Sequence, residues 1–109
     1  MAYDEQLNQR VRAILDGVPG LVEKKMFGGV GYLVKGNMAC GVNGERLIVR
    51  LSQADYADAL SQPHVRVFDM TGRPMKGWVT VEPAGLSEDQ ALQGWVERGL
   101  DFAQGLPAK

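Results

Sequence analysis

Cysteine and histidine are almost missing from this sequence, with one residue of each among 109. A single cysteine, Cys40, excludes a disulfide within the chain, and one cysteine with one histidine, His64, is too few for a zinc site built from the usual ligands. Neither residue lies in a nucleophile motif, so we expect Cys40 to be a small buried side chain and His64 to be a loop residue after a helix. The sequence therefore predicts no catalytic residue, no metal site and no cofactor.

A strong net charge and a long apolar run are also lacking. The 12 basic and 13 acidic residues give a formal net charge of -1, which provides no overall attraction to nucleic acid or to an anionic membrane. No apolar run approaches the ~20 residues that a membrane span needs, and the acidic start at Asp4 and Glu5 does not resemble a secretory signal. We therefore expect a cytoplasmic protein of one domain that covers residues 1–109.

What the chain contains is a succession of helical and strand patterns. Apolar residues spaced three and four apart predict helices, and alternation with a period of two predicts strands. Asp4, Ser52 and Ser87 predict helix N-caps. The predicted elements are a helix at 4–16, strands at 21–27, 30–35, 38–42 and 46–51, a helix at 52–60, strands at 65–70 and 75–82, and a last helix from Ser87 to Gln104. This pattern predicts an α+β fold with a single antiparallel sheet flanked by helices, in the order α-β-β-β-β-α-β-β-α.

Glycine is abundant, with 14 residues, and it marks both turns and close contacts. Gly36-Asn37 and Asn43-Gly44 predict two-residue hairpin turns. Gly94 and Gly99 lie inside the last predicted helix, where each costs ~1 kcal/mol relative to alanine. Because Gly99 falls on the apolar stripe, we expect the helix to approach the sheet closely there. We expect packing to compensate for Gly94 as well.

Residues 23–32, with the sequence EKKMFGGVGY, combine charge, aromatic mass and backbone freedom more tightly than any other stretch. Gly29-Val30-Gly31 invites comparison with a dinucleotide fingerprint. That motif needs a glycine or alanine at position 34 and a helix that begins in the loop, whereas Val34 stands there and the strand-like alternation continues. The glycines are therefore expected to form a tight connection between two strands.

Basic residues are spread over the predicted sheet and are not gathered in one segment. Arg46 and Arg50 share a predicted strand face, so they are the first pair to test for a bound anion. The stretch 71–78, TGRPMKGW, leads from a loop into a strand with one tryptophan, which would anchor a partner if it were exposed beside the cations. The predicted interaction surface consists of Lys24, Lys25, Phe27, Gly28, Gly29, Arg46, Arg50, Arg73, Lys76 and Trp78.

Two stretches, KKMFGG at 24–29 and GRPMKG at 72–77, resemble the N-terminal domain of the TfoX/Sxy family of competence regulators. The resemblance extends to residues 1–5, 36–38 and 95–97 and covers nearly the whole chain. It implies an α+β fold similar to secretion-chaperone-like domains, and it assigns no catalytic residues. Full-length members carry a second, helical domain, so the resemblance implies a stand-alone N-terminal domain here.

Three functions are open at this point. The resemblance and the lack of a catalytic constellation favour a non-enzymatic interaction domain that acts in transcriptional regulation through protein contacts. We expect a protein partner for it, and a homodimer would cover a sheet edge. The first alternative is nucleic-acid binding through a basic face of the sheet. The second is a small-molecule sensor or enzyme in which the Met26–Gly31 corner and the Arg73–Lys76 loop form the pocket walls.

Overall fold

The computed structural model of the chain describes residues 3–26, 29–69 and 74–107. Within these residues the chain forms three α-helices and six strands. They are α1 (Glu5–Leu15), β1 (Leu21–Met26), β2 (Gly29–Val34), β3 (Asn37–Asn43), β4 (Arg46–Arg50), α2 (Gln53–Leu60), β5 (Val65–Asp69), β6 (Pro74–Val81) and α3 (Asp89–Gln104), with a short 3-10 turn at Pro83–Gly85. The predicted α+β fold and its order of elements are confirmed.

All six strands of the described residues lie in one antiparallel sheet, in the order β1-β2-β3-β4-β6-β5. The strands β1 to β4 form the predicted meander. The next strand in space is β6, which pairs with β4 so that Arg50 lies opposite Trp78 and Val49 opposite Val79. Because β5 pairs with the far side of β6, the two edges of the sheet are β1 and β5.

Alternation along the strands and helical spacing in α1 place one set of side chains in the core. Leu47 and Val49 of β4 are fully buried, as their positions in the alternating pattern predict. Leu7, Val11 and Leu15 of α1 are buried at the spacing of one helix face. The core therefore lies between the central strands and the helices, and β4 passes through its middle.

A buried hydrogen bond connects α1 to the sheet. The Tyr32 hydroxyl on β2 donates to Asn8 Oδ1 on α1, and both residues are buried. Burial disfavours the charged phenolate and so raises the pKa of Tyr32 to about 12. Cys40 on β3 is also fully buried, as expected, and burial raises the pKa of its thiol to about 12. Both groups therefore remain protonated near neutral pH.

Helix α3 comes very close to the sheet at Gly99. A Cβ atom at this position would lie 2.3 Å from the backbone oxygen of Ala39 and 3.1 Å from Val49 Cγ1. The predicted close approach is confirmed, because any side chain there would overlap the strand. At Gly94 an added Cβ would have no neighbour within 4 Å among the described residues, so the prediction that packing compensates for Gly94 is wrong.

The first hairpin turn lies one residue earlier than predicted. Lys35 and Gly36 have φ values of 54° and 82°, so these two residues form the turn between β2 and β3. Asn37, predicted as a turn residue, is buried and begins β3, where its side-chain amide donates to the backbone oxygen of Pro107 at 2.9 Å. A tertiary contact with the end of the chain thus outweighs the usual turn preference of asparagine.

The second hairpin turn and the cap of α3 also differ from the predictions. Asn43 belongs to β3, and the positive φ of this turn, 60°, is at Gly44. The N-cap of α3 is Glu88, not Ser87, and its side chain makes no capping hydrogen bond. The Ser87 hydroxyl instead donates to the backbone oxygen of Ala84 at 3.5 Å, because the 3-10 turn before α3 holds Ser87 outside the helix.

Candidate interaction cleft

The end of β4 meets β6 at a contact that depends on a glycine. Gly77 has a φ of 87°, and its carbonyl oxygen accepts a hydrogen bond from the Leu51 backbone N–H at 2.6 Å. Glycine adopts this left-handed conformation without steric cost. The next residue after Leu51 is Ser52, whose hydroxyl accepts a hydrogen bond from the Asp55 backbone N–H at 3.2 Å. Ser52 is thus the N-cap of α2, which confirms the predicted N-cap. The strand end and the helix start are thereby held together.

A surface cleft of about 580 Å³ lies where β4, β6, α2 and α3 meet. This volume is within the range of ~300–1,000 Å³ that is typical of ligand clefts. Its described lining contains three aromatic side chains, two cations and no carboxylate. The lining residues are Arg50, Leu51, Gln53, Tyr56, Ala57, Lys76, Gly77, Trp78 and Phe102. The cleft therefore presents apolar surface and positive charge together.

Arg50 is held in this cleft by two aromatic rings. Its Cζ atom lies 5.4 Å from the ring centroid of Trp78 and 5.4 Å from that of Phe102. The first contact follows from strand register, and the second from the packing of α3 on the sheet. Cation–π contacts of this kind contribute ~0.5–2 kcal/mol, depending on how far the cation is desolvated. Arg50 is half-buried as a result, and it connects α3 to β6.

Arg50 also differs from the other arginines in its lack of a carboxylate partner among the described residues. The ring contacts satisfy none of the five N–H donors that a guanidinium carries, so these donors remain available to a bound group. The other arginines of the described residues are paired, in Arg10–Asp89 (3.1 Å), Arg12–Glu23 (2.7 Å), Arg46–Glu82 (2.9 Å), Arg66–Glu82 (3.4 Å) and Arg98–Asp58 (3.9 Å).

A second cleft, of about 260 Å³, contains the other arginine of the predicted anion-binding pair. Arg46 and Arg66 line it, and both contact the carboxylate of Glu82. Because Asp69 lines the same cleft, its two cations face two carboxylates. Arg46 and Arg50 both belong to β4, but their side chains lie in different clefts with different charge balance.

Three residues of the predicted interaction surface, Arg50, Lys76 and Trp78, line the first cleft. Two aromatic residues outside the predicted surface, Tyr56 and Phe102, complete its walls. Helical periodicity places both residues on the apolar faces of their helices and so predicts full burial. In the structure each side chain is only half-buried. The sequence feature that could have indicated Phe102 is its position three residues after Gly99, which is one helical turn beyond the closest contact between α3 and the sheet.

The other predicted residues do not join this cleft. Lys24 and Lys25 are exposed on the edge strand β1, which β2 and β3 separate from β4. Gly29 is buried in β2, where an added Cβ would lie 2.1 Å from the backbone oxygen of Val42, so it allows two strands to pack closely. Three further residues, Phe27, Gly28 and Arg73, lie outside the described residues.

The remaining motifs have structural roles. The strand β2 covers Gly29–Val34, so a strand follows Gly29-Val30-Gly31, as the alternation predicts, where a dinucleotide fingerprint would need a helix. His64 is exposed in the loop after α2, as predicted, and its carbonyl oxygen accepts from the Glu82 backbone N–H at 2.8 Å. Within residues 3–26, 29–69 and 74–107, no group of three or more His, Cys, Asp and Glu side chains is placed to hold a metal ion. None of the helices in these ranges has the length and apolar character needed to cross a membrane.

Comparison with known proteins places the chain in a family. No curated protein matches the sequence. The sequence model of the TfoX N-terminal domain matches residues 13–103, a segment that contains all six described strands and every residue of the cleft around Arg50. The chain therefore belongs to the TfoX N-terminal domain family.

Proposed function

We propose that this chain is a non-enzymatic interaction domain that acts in transcriptional regulation through protein contacts, and that the cleft around Arg50 is its contact site. Family membership supports a role related to competence regulators. The observation that carries the proposal is the state of Arg50, which two aromatic rings hold in place while no carboxylate among the described residues pairs with it. A guanidinium that is fixed in position and has no carboxylate partner is suited to bind a polar group of a partner protein.

The composition of the cleft also supports a protein partner. Arginine, tryptophan and tyrosine are the residue types that contribute most often to the binding energy of protein interfaces. Arg50, Tyr56 and Trp78 are each half-buried, so each has surface left to cover on binding. Two rings already restrict the Arg50 side chain, which reduces the conformational entropy that binding would cost.

The geometry gives less support to nucleic-acid binding. Such binding uses several cations aligned along a phosphate backbone. Arg46 and Arg66 share one carboxylate, Glu82, while Lys24 and Lys25 lie on the far edge of the sheet. The described basic residues therefore lie on separate parts of the surface and do not form one basic face. In the second cleft the two arginines are neutralised by two carboxylates.

The proposal is tested by filling the cleft. Ala57 on α2 lines the cleft, whereas Ala54, one turn earlier, is exposed and does not. Ala57→Trp and Ala54→Trp add the same bulk to the same helix, so the second variant is the matched control. The immobilised wild type and both variants are used to capture proteins from a nuclease-treated lysate, and recovery is measured by quantitative mass spectrometry. We expect the same protein partner with the wild type and Ala54→Trp, and at least tenfold lower recovery with Ala57→Trp.

Two results would contradict the proposal. Recovery that is equal for all three proteins would show that the cleft is not the contact site. Capture that occurs only in a parallel experiment with an untreated lysate, and that brings down DNA or RNA, would favour the nucleic-acid alternative.

A further inference from the structure

We infer that the cleft binds an acidic peptide segment, in which one carboxylate pairs with Arg50 and an adjacent apolar side chain packs against Tyr56 and Ala57. The inference rests on the proposed function, because it names the chemistry of the partner at the same site. It is carried by the charge of the cleft, by the geometry of its arginine and by the surface beside that arginine.

The charge of the cleft is unbalanced, in contrast to that of the whole chain. The chain has a formal net charge of -1. The cleft is lined by two cations, Arg50 and Lys76, with no acidic side chain among its described lining residues. Positive charge that is concentrated in a partly enclosed site attracts an anionic group and disfavours a cationic one.

The geometry of Arg50 favours a carboxylate. A guanidinium presents its N–H donors as a planar fork that matches the two oxygens of a carboxylate. The rings of Trp78 and Phe102 restrict this fork, and the half-buried site weakens the screening by water that reduces most exposed ion pairs. A bidentate pair at Arg50 should therefore contribute more than the exposed pairs elsewhere in the sheet.

The surface beside Arg50 favours a peptide over a nucleic-acid strand. Single-stranded nucleic acid is bound by basic grooves in which bases stack on free aromatic rings. Here Trp78 contacts Arg50 and also the ring of Phe68, with 6.2 Å between the ring centroids, and Phe102 contacts Arg50. The apolar surface next to this cluster is the side of α2 with Tyr56 and Ala57, which suits one apolar side chain beside the acidic one.

Selection from a random peptide library provides the probe. The full chain is immobilised, displayed peptides are selected, and the best sequence is synthesised with its acidic residue intact and with that residue replaced by the matching amide. We expect selected peptides to be enriched in Asp or Glu beside an apolar residue. By fluorescence polarisation, the amide form should bind the wild-type protein at least tenfold more weakly.

Two variants on one strand, β4, provide the protein side of the test. Arg50→Gln should weaken binding of the acidic peptide at least tenfold and should no longer distinguish the acid from the amide. Arg46→Gln is the matched control, because Arg46 lies on the same strand but is paired with Glu82, and we expect it to stay within twofold of the wild type. Circular dichroism checks the folding of both variants. If Arg50→Gln does not fold, the comparison of acid and amide on the wild-type protein decides.

Several outcomes would overturn the inference. They are equal binding of acid and amide, equal losses in Arg46→Gln and Arg50→Gln, selection of neutral or basic peptides, selection of none, or Arg50-dependent binding of a single-stranded oligonucleotide in place of peptide.

Ala57→Trp separates this inference from the proposed function. If it abolishes peptide binding while acid and amide bind alike, the cleft is a protein contact site but not one for acidic segments. If peptide binding is unaffected by Ala57→Trp, both proposals fail.

Discussion

Two glycines of α3 provide a matched test of how this helix is placed against the sheet. Replacing either glycine with alanine removes the same backbone penalty in a helix interior, ~1 kcal/mol. At Gly94 an added Cβ meets no described atom within 4 Å, so the whole gain should be realised. We expect Gly94→Ala to raise the free energy of unfolding by about 1 kcal/mol, which corresponds to a rise in Tm of roughly 4 °C for a domain of this size.

At Gly99 the same substitution should have the opposite effect. The added Cβ would lie 2.3 Å from the backbone oxygen of Ala39, although such contacts are essentially never shorter than 3.0 Å. Helix and strand must therefore move apart by about 0.7 Å, because the atom that the Cβ would overlap belongs to the backbone of Ala39 and not to a flexible side chain. Overpacking of a core typically costs ~1–3 kcal/mol, and two rigid backbones place this case at the upper end. After the gain in helix propensity, we expect Gly99→Ala to lower the free energy of unfolding by about 2 kcal/mol.

Urea unfolding followed by tryptophan fluorescence measures both variants, with linear extrapolation of the free energy to water. The expected difference between Gly94→Ala and Gly99→Ala is about 3 kcal/mol, which exceeds the error of the extrapolation. If Gly99→Ala were as stable as the wild type, the close approach of α3 would be refuted. The position of Phe102 over Arg50 would then lose its structural basis, because the same helix carries it.

Three further predictions concern the buried residues Tyr32 and Cys40. Tyr32→Phe removes the donor to buried Asn8 and should lower the free energy of unfolding by ~1–3 kcal/mol in urea. Folding raises the pKa of Tyr32 to about 12 from an ordinary 10.0. The protonated hydroxyl should therefore stabilise the fold fully below pH 10, and this contribution should be lost as the pH rises to 12. The free energy of unfolding of the wild type should fall more over that interval than that of Tyr32→Phe. Cys40 should react with a thiol reagent only on unfolding, because burial raises its pKa to about 12; fast labelling of the native protein would contradict its burial.

Most of the fold could be predicted because local signals agree with the tertiary structure. The apolar spacing in α1, the burial of Leu47 and Val49 in β4 and the N-caps at Asp4 and Ser52 all appear where the sequence pattern places them, although Ile48 between those two strand residues is buried as well. One exception arises where a distant contact decides. Asn37 leaves the turn for a hydrogen bond to Pro107, a partner 70 positions away in the sequence. No local pattern contains that information.

The candidate site was predictable only in part, for a related reason. Alternation predicts that Arg46 and Arg50 share a strand face, but the two side chains lie in different clefts. What distinguishes them is tertiary: Glu82 reaches Arg46, whereas the packing of α3 brings Phe102 to Arg50. The sequence pattern contains charge and spacing but not the pairing of β4 with β6, on which the contact between Arg50 and Trp78 depends.

The most direct test of the account is an NMR titration that observes the Nε–H signals of the arginine side chains. The signal of Arg50 is assigned by its loss in Arg50→Lys, and the selected acidic peptide is added to the labelled wild-type protein. We expect the Arg50 signal to shift with the peptide concentration, while those of Arg46 and Arg66, which Glu82 already engages, stay in place. Shifts at Arg46 and Arg66 with an unchanged Arg50 signal would contradict the claim that the cleft around Arg50 is the contact site.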